Sequence, residues 1–117
     1  GEPIGLLPDQ VPQEGEGVWA PFFGRTAYTM TLPAKLAKMG DAAVILVYAE
    51  RKPHGAGYIV RFVPFDGSLE GSAAEQATIV NQAMERLIAR CPSQYFWSYN
   101  RYKQPDGVDA PDAQVAA

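Results

Sequence analysis

The sequence predicts an α/β domain in which a sheet and helices form layers. Residues 42–50, AAVILVYAE, are an apolar run rich in β-branched residues, and residues 58–65, YIVRFVPF, alternate as a strand does. Residues 72–91 carry the apolar stripe of a helix. The 117 residues, 47% of them hydrophobic, are enough for one domain with its own core. The predicted order is strand, long loop, helix, two strands, helix and a closing aromatic and basic segment.

The N-terminal quarter is predicted to hold one short strand and one long loop. Residues 4–7 read as a buried strand that ends at a proline. Residues 9–25 contain two prolines and three glycines and show neither strand nor helix periodicity. Because Trp19, Phe22 and Phe23 are too apolar for simple disorder, we expect this loop to be ordered and to cover something.

The middle of the chain predicts a helix followed by a β-hairpin. The helix starts between Thr26 and Thr31 and stops at Gly40, and its expected buried face consists of Leu32, Leu36 and Met39. The apolar run at 42–50 suits a central strand that is covered on both faces. Residues 51–57 contain one proline and two glycines, so we expect a broad turn from this strand to the next.

The second helix is the clearest element. Ser72 and Glu75 predict a capping box at its start, and Pro92 prevents its continuation. Its expected buried stripe is Ala73, Ala77, Val80, Met84, Leu87 and Cys91. After Lys103, residues 104–117 have turn formers and acidic residues without a stripe, which predicts a flexible tail.

Composition excludes several classes of function. A net charge of -3 and a pI near 5.0 argue against a nucleic-acid or general membrane-surface binder. One cysteine and one histidine cannot supply the ligands of the usual zinc sites, and no feature predicts a metal or a cofactor. No apolar run reaches the ~20 residues that span a bilayer, so we expect the chain by itself to be soluble. His54 is expected to be an exposed turn residue, and Cys91 an inert core thiol.

Several polar and aromatic residues are candidates for a binding site. Asp9 and Gln10 follow the first predicted strand, where α/β sheets place ligand crevices, although Asp after Pro also opens turns. Trp19, Phe22 and Phe23 beside Arg25 suit either an apolar wall with a cation at its rim or a cover for the sheet edge. Further cationic donors for phosphate or carboxylate are Arg51, Lys52, Arg101 and Lys103, for which solvated surface charge is the alternative.

Four stretches carry a resemblance to a known family. LLPDQ, APFFGRTAYTMTLPAKLA, VILVYAERKPHGAGYIVRF and PSQYFWSYNRYK resemble the C-terminal part of the lipid A biosynthesis acyltransferases, the lauroyl and myristoyl transferases. The resemblance covers residues 4–107. It implies a glycerolipid-acyltransferase-like layered fold, a mixed sheet with packed helices, at the cytoplasmic face of the bacterial inner membrane. It also implies an acyl carrier protein thioester as donor and a lipid A precursor as acceptor.

The catalytic motif of this family is H-x-x-x-x-D, and it is absent here because Ile59 stands five residues after His54. The resemblance therefore implies that residues 1–103 are the C-terminal part of an acyltransferase domain, without the base and without the membrane-anchoring segment. We expect this fragment to be inactive alone. A sheet edge left unpaired by the missing part would favour a homodimer of the fragment.

The resemblance also assigns roles to particular residues. Asp9 and Gln10 become active-site lining, although Val11 stands where relatives have a second acidic residue. In the closing segment the aromatic residues are expected to pack the last helix onto the sheet. Arg101 and Lys103 are expected to face anionic sugar phosphates or lipid head groups. The expected substrate-binding set is completed by Phe23, Arg25, Arg51 and Trp97.

A different class of function remains open from the sequence. The chain has enough apolar residues for a core and no catalytic base, so it also fits a stand-alone, non-enzymatic module. Such a module would bind an apolar or anionic ligand through the segment from Trp19 to Arg25. A complete module is expected to be monomeric, whereas a fragment exposes an apolar face.

Overall fold

A computed structural model describes residues 1–111 and confirms the α/β class. These residues form two separate antiparallel sheets of two strands each, so the expected single mixed sheet is not present among them. Short 3₁₀ turns follow the third strand and the second helix. The elements are β1 (Gly17–Phe22), β2 (Arg25–Met30), α1 (Leu32–Gly40), β3 (Ile45–Arg51), β4 (Tyr58–Pro64) and α2 (Ala73–Arg90).

The first hairpin corrects the prediction of a loop over residues 9–25. β1 pairs with β2 over its whole length, and Ala20 and Phe22 on β1 are buried. The connecting turn is tight, with positive φ at Phe23 and Gly24. The period of two was concealed because Pro21, a residue that sheets tolerate at an edge, stands between the two buried positions.

The core lies where the first hairpin packs on α2. It consists of Phe22, Ala27 and Ile88, with Met84, Tyr95 and Tyr102 packed against it. The predicted capping box is confirmed, because the Ser72 hydroxyl accepts from the Glu75 N–H and the Glu75 carboxylate accepts from the Ser72 N–H, both at 3.2 Å. The stripe is confirmed at Ala77, Val80 and Leu87, whereas Ala73 is exposed.

Helix α1 is confirmed, but its predicted buried face is wrong. Thr31 occupies the N-cap position, within the predicted range of starts, and Pro33 falls in the first turn, where a helix tolerates proline. Leu32 and Met39 are exposed, and the buried residue is Ala34. Leu36 is partly buried, so the helix packs mainly through Ala34 and Leu36, and Leu32 and Met39 stay exposed.

The second hairpin, β3–β4, is confirmed, but the central position predicted for β3 is not found within residues 1–111. β3 pairs only with β4 within residues 1–111, and the outward side chains of both strands are exposed. The strand predicted at residues 4–7 is wrong as well. These residues have no ladder partner in the described part of the chain, and Ile4 and Leu7 are exposed.

The segment after Lys103 returns toward the first hairpin. The Trp19 indole N–H donates to the carbonyl of Asp109 at 2.9 Å, and Gln104 donates to the carbonyl of Val108 at 2.8 Å. Residues 112–117 of the predicted tail lie outside the described residues. Among residues 1–111, none of the helices combines the length and the apolar composition that a membrane crossing requires.

Candidate functional site

Arg101 is the centre of a buried polar cluster. Its side chain is 3% exposed, and its Nη1 donates to the Tyr28 carbonyl at 2.7 Å. Its Nη2 donates to Thr29 Oγ1 at 2.9 Å and to Asn81 Oδ1 at 3.4 Å. The guanidinium thus joins the closing segment to β2 and α2.

This position corrects the expectation that Arg101 faces anionic head groups. Its hydrogen-bond acceptors are uncharged groups of the protein interior, and its Nε is buried without a partner. Burial lowers the pKa of Arg101, and the nearby Tyr95 and Asp9 act against this lowering. The side chain points inward because Tyr28, Thr29 and Asn81 offer it fixed acceptors there.

Asp9, Tyr95 and Arg101 form one electrostatic cluster. Asp9 is partly buried, and the Tyr95 hydroxyl is buried without a hydrogen-bond partner. Burial, and after it the negative charge of Asp9, raise the pKa of Tyr95, while Arg101 acts to lower it. The structure therefore brings two of the predicted site residues, Asp9 and Arg101, into the same neighbourhood.

Phe23 and Trp97 form an exposed aromatic ledge. Their ring centroids are 5.8 Å apart, and the two side chains are 45% and 57% exposed. The ledge is fixed at both ends: the Phe23 N–H donates to the Glu85 carboxylate, and the Trp97 indole N–H donates to the Pro92 carbonyl at 2.7 Å. Two predicted site residues thus make one surface.

The ledge corrects two expectations about aromatic residues. In the closing segment, Tyr95 and Tyr102 pack on the core as expected, but Phe96 and Trp97 are exposed. Of the two alternatives for Trp19, Phe22 and Phe23, the apolar wall made by all three is also not formed. Phe22 is buried in the core, because alternate residues of β1 face opposite sides of the sheet.

Arg25 supplies a cation beside this surface. Its guanidinium carbon lies 4.3 Å from the centroid of the Tyr102 ring, a cation–π contact. Tyr102 is held in turn, because its hydroxyl donates to the Phe22 carbonyl at 2.7 Å. Burial raises the pKa of Tyr102, and the charge of Arg25 acts to lower it.

The remaining predicted site residues do not join this cluster. Lys103 lines an open groove of about 860 Å³ together with Tyr99 and Asn100. Gln10 lines a second groove, of about 550 Å³, together with Lys35. Gln10 and Lys103 thus lie in two different grooves, which adjoin each other because residues 11–13 line both. Arg51 belongs to the other sheet, where its backbone is bound by Gln94.

The prediction from sequence missed Asn81 and Thr29. Both are buried, and Asn81 Nδ2 donates to Thr29 Oγ1 at 2.9 Å and to the Pro21 carbonyl at 3.2 Å. A signal was present, because Asn81 stands four residues after Ala77 on the apolar face of α2. A buried amide requires hydrogen-bond partners, so a polar network was to be expected there.

The other titratable candidates remain apart from the cluster. His54 lies exposed in the β3–β4 turn with a φ of 57°. Cys91 is a partly buried free thiol at the end of α2. Over residues 1–111, no group of three His, Cys, Asp or Glu side chains is placed to hold a metal ion.

Comparison with known proteins identifies the relatives of this chain. A sequence model described as bacterial lipid A biosynthesis acyltransferase matches residues 1–104. The lipid A biosynthesis lauroyltransferase of Escherichia coli K12 is 33% identical over an alignment of 111 residues, and the match covers 92% of this chain and 36% of the relative. The lipid A biosynthesis palmitoleoyltransferase of the same organism is 30% identical over 88% of this chain and 34% of the relative.

The lipid A biosynthesis acyltransferase of Shigella flexneri gives the same values as the palmitoleoyltransferase, 30% identity over 107 residues. The chain thus spans 34% to 36% of the length of these relatives. The matched region includes both hairpins, both helices and the cluster around Arg101. The chain therefore belongs to the bacterial lipid A biosynthesis acyltransferase family.

Proposed function

We propose that this chain is part of an acyltransferase that moves a fatty acyl chain from acyl carrier protein to a hydroxyl of a lipid A precursor. The observation that carries the proposal is the family match over residues 1–104, which includes Asp9 beside the cluster of Tyr95 and Arg101. The whole enzyme would work at the cytoplasmic face of the inner membrane. It would be anchored there by a segment that precedes residues 1–103.

The reaction requires a base, and this chain lacks the H-x-x-x-x-D motif with which the family supplies it. The acceptor hydroxyl oxygen attacks the thioester carbonyl, a carbon–oxygen bond forms, and the carbon–sulfur bond breaks. The proton of the hydroxyl leaves through a base, and the thiol of the carrier is released. His54, the one histidine, lies in an exposed turn and has Ile59 in place of the motif's aspartate. We therefore place the base elsewhere in the polypeptide.

In this proposal the chain's own residues bind and position the substrates. Asp9 and Gln10 line the active site, and Arg101 and Tyr95 lie in the neighbourhood of Asp9. The aromatic ledge of Phe23 and Trp97 suits apolar acyl chains. Arg25 and Lys103 are cations suited to the phosphates of a lipid A precursor, and Arg51 completes the set on the other sheet.

A chimera tests the proposal. Residues 1–104 replace the matching third of the E. coli lauroyltransferase, and acyl transfer from acyl carrier protein to a labelled lipid A precursor is measured. The chimera is expected to be active, and Asp9→Asn to lower kcat/KM by about 100-fold because a positioning charge is lost. Asp66→Asn, an exposed surface change, is the matched control.

Two results would contradict the proposal. Acyl transfer by the 117-residue chain alone would show that the base lies within it. A folded chimera whose Asp9→Asn variant is as active as the Asp66→Asn variant would remove Asp9 from the active site.

A further inference from the structure

The β3–β4 hairpin presents one broad apolar face to solvent. Its register places Val47 opposite Phe62, Ala49 opposite Val60 and Arg51 opposite Tyr58. These three pairs lie on the same side of the sheet, because alternate residues of a strand face the same way. The exposed fractions on this face are 57% for Ile45, 49% for Val47, 64% for Tyr58, 55% for Val60 and 69% for Phe62. Arg51 is the one charged residue on this face and stands at its end.

The charged pair of this hairpin lies on the opposite face. Glu50 and Arg61 form an ion pair at 2.6 Å, and they alternate with the residues of the apolar face. On that opposite face the ion pair stands among Leu46, Tyr48, Ile59 and Val63, and all of these except Ile59 are partly buried. Both sides of the hairpin are therefore largely apolar, and the side with Val47 and Phe62 is the more exposed one within residues 1–111.

The edges of the hairpin are as open as its face. Each of its strands has a single ladder partner among the described residues, so one edge of each strand has no backbone pairing there. A two-stranded hairpin is marginally stable in water, and it gains stability from further strands or from a packed layer. The sequence of β3 indicates the same requirement, because continuous apolar runs are typical of strands covered on both sides.

The chemistry of the hairpin favours a protein segment as the cover. A lipid bilayer would bury the apolar side chains but offers no partners for open backbone N–H and C=O groups. A polypeptide segment can satisfy both. The family match includes the whole hairpin, and the relatives have most of their length outside the match. In such a polypeptide the covering segment is present at high effective concentration because it is covalently linked.

We propose that this apolar face is the surface on which the rest of a lipid A acyltransferase polypeptide, the part outside the match to this chain, packs. The added segment extends the hairpin into a larger sheet and covers Val47 and Phe62. The inference depends on family membership and on the exposed face, and it does not require the substrates proposed above.

Cysteine labelling tests this packing. Val47→Cys and Phe62→Cys, each in a Cys91→Ala background, are compared with Met39→Cys, which lies at an 84% exposed position on α1. In the 117-residue chain all three thiols are expected to react rapidly with a water-soluble maleimide. In the lauroyltransferase chimera the two hairpin thiols are expected to react about 100-fold more slowly relative to Met39→Cys, because burial removes access to the thiol.

Two controls separate this proposal from other causes of protection. The 117-residue chain is labelled in the same detergent that solubilises the chimera. Rapid reaction of its hairpin thiols in this detergent shows that the detergent does not shield the hairpin. If the chimera does not fold, cysteine is placed at the aligned positions of the E. coli lauroyltransferase itself, whose own activity reports its folding. The same slow labelling is expected.

Three outcomes would overturn the proposal. The first is equal labelling of the hairpin and Met39→Cys positions in a folded full-length protein. The second is protection that arises only when anionic vesicles are added, which would make the bilayer the occupant. The third is protection in the full-length protein that is lost when the protein is diluted, which would make the occupant a second copy.

Discussion

At the scale of single residues, the buried guanidinium of Arg101 is the main polar link between the closing segment and the rest of the core. It donates to a main-chain carbonyl of β2 and to side chains of β2 and α2. A charge in this position has lost its water, and hydrogen bonds to uncharged groups only partly replace it. The lowered pKa of Arg101 has this cause.

We predict that Arg101→Met lowers the free energy of unfolding by about 2 kcal/mol, because it removes the donor of three buried hydrogen bonds. Methionine keeps most of the side-chain volume, so the loss reports hydrogen bonds more than a cavity. Urea unfolding of the 117-residue chain measures it. The control, Lys103→Met, changes an exposed residue and should cost less than about 0.5 kcal/mol. Equal stability of the two variants would mean that the guanidinium adds nothing to the fold.

Tyr95 predicts a dependence of stability on alkaline pH. Its pKa is raised above the ordinary value of 10.0, so the folded chain holds the phenol proton more tightly than the unfolded chain. This contribution is fully present below the ordinary pKa and is lost as the pH rises above it. The urea midpoint should therefore fall as the pH rises above about 10, and less steeply in Tyr95→Phe. Tyr58→Phe, at an exposed site, should keep the full slope, and a Tyr95→Phe variant with that same slope would exclude Tyr95 as the cause.

At the scale of elements, local signals decided what the sequence could predict. Helix α2 was predicted with its start and stop because the apolar stripe, the capping box and Pro92 all lie within its own segment. The β1–β2 hairpin was missed because Pro21 and the flanking glycines hide a period of two. The buried face of α1 depends on what packs against it, and a helix pattern alone does not contain that information.

The same distinction applies to the candidate site. Asp9 and Arg101 were predicted to be site residues from the sequence, but the inward direction of Arg101 was not predicted. That direction depends on acceptors 20 and 72 residues away along the chain, at Asn81 and Thr29. Asn81 was missed because the stripe was read for apolar residues only.

The capping box of α2 gives a prediction at this scale. Ser72→Ala removes the hydroxyl that accepts from the Glu75 N–H and should lower the free energy of unfolding by about 1 kcal/mol. Ser72→Asp keeps an acceptor next to the positive end of the helix dipole and should restore most of this loss. Urea unfolding, monitored by the far-ultraviolet circular dichroism signal of the helices, measures the stability of both variants. A Ser72→Asp variant no more stable than Ser72→Ala would contradict a capping role.

At the scale of the whole molecule, the two hairpins are held very differently. β1–β2 packs on α2 through Phe22, Ala27 and Ile88. β3–β4 has its apolar face in water, and a link to the closing segment is made by Gln94, which accepts from the Arg51 N–H at 2.9 Å and donates to the Arg51 carbonyl at 3.3 Å. Local stability follows buried contacts, so the two halves should open separately.

Amide hydrogen exchange of the 117-residue chain tests this difference. We predict that the amides of β3 and β4 exchange faster than those of β1, β2 and α2. Gln94→Ala removes two hydrogen bonds to the hairpin and should speed exchange in β3 by roughly 5- to 30-fold, the factor that one or two kcal/mol produces. Exchange in α2 should not change, because Gln94 lies beyond the end of that helix.

Gln82→Ala, an exposed change on α2, is the matched control. Uniform exchange across both hairpins, with an equal response of all elements to Gln94→Ala, would mean that the chain opens as one cooperative unit and that β3–β4 is already stable without a cover.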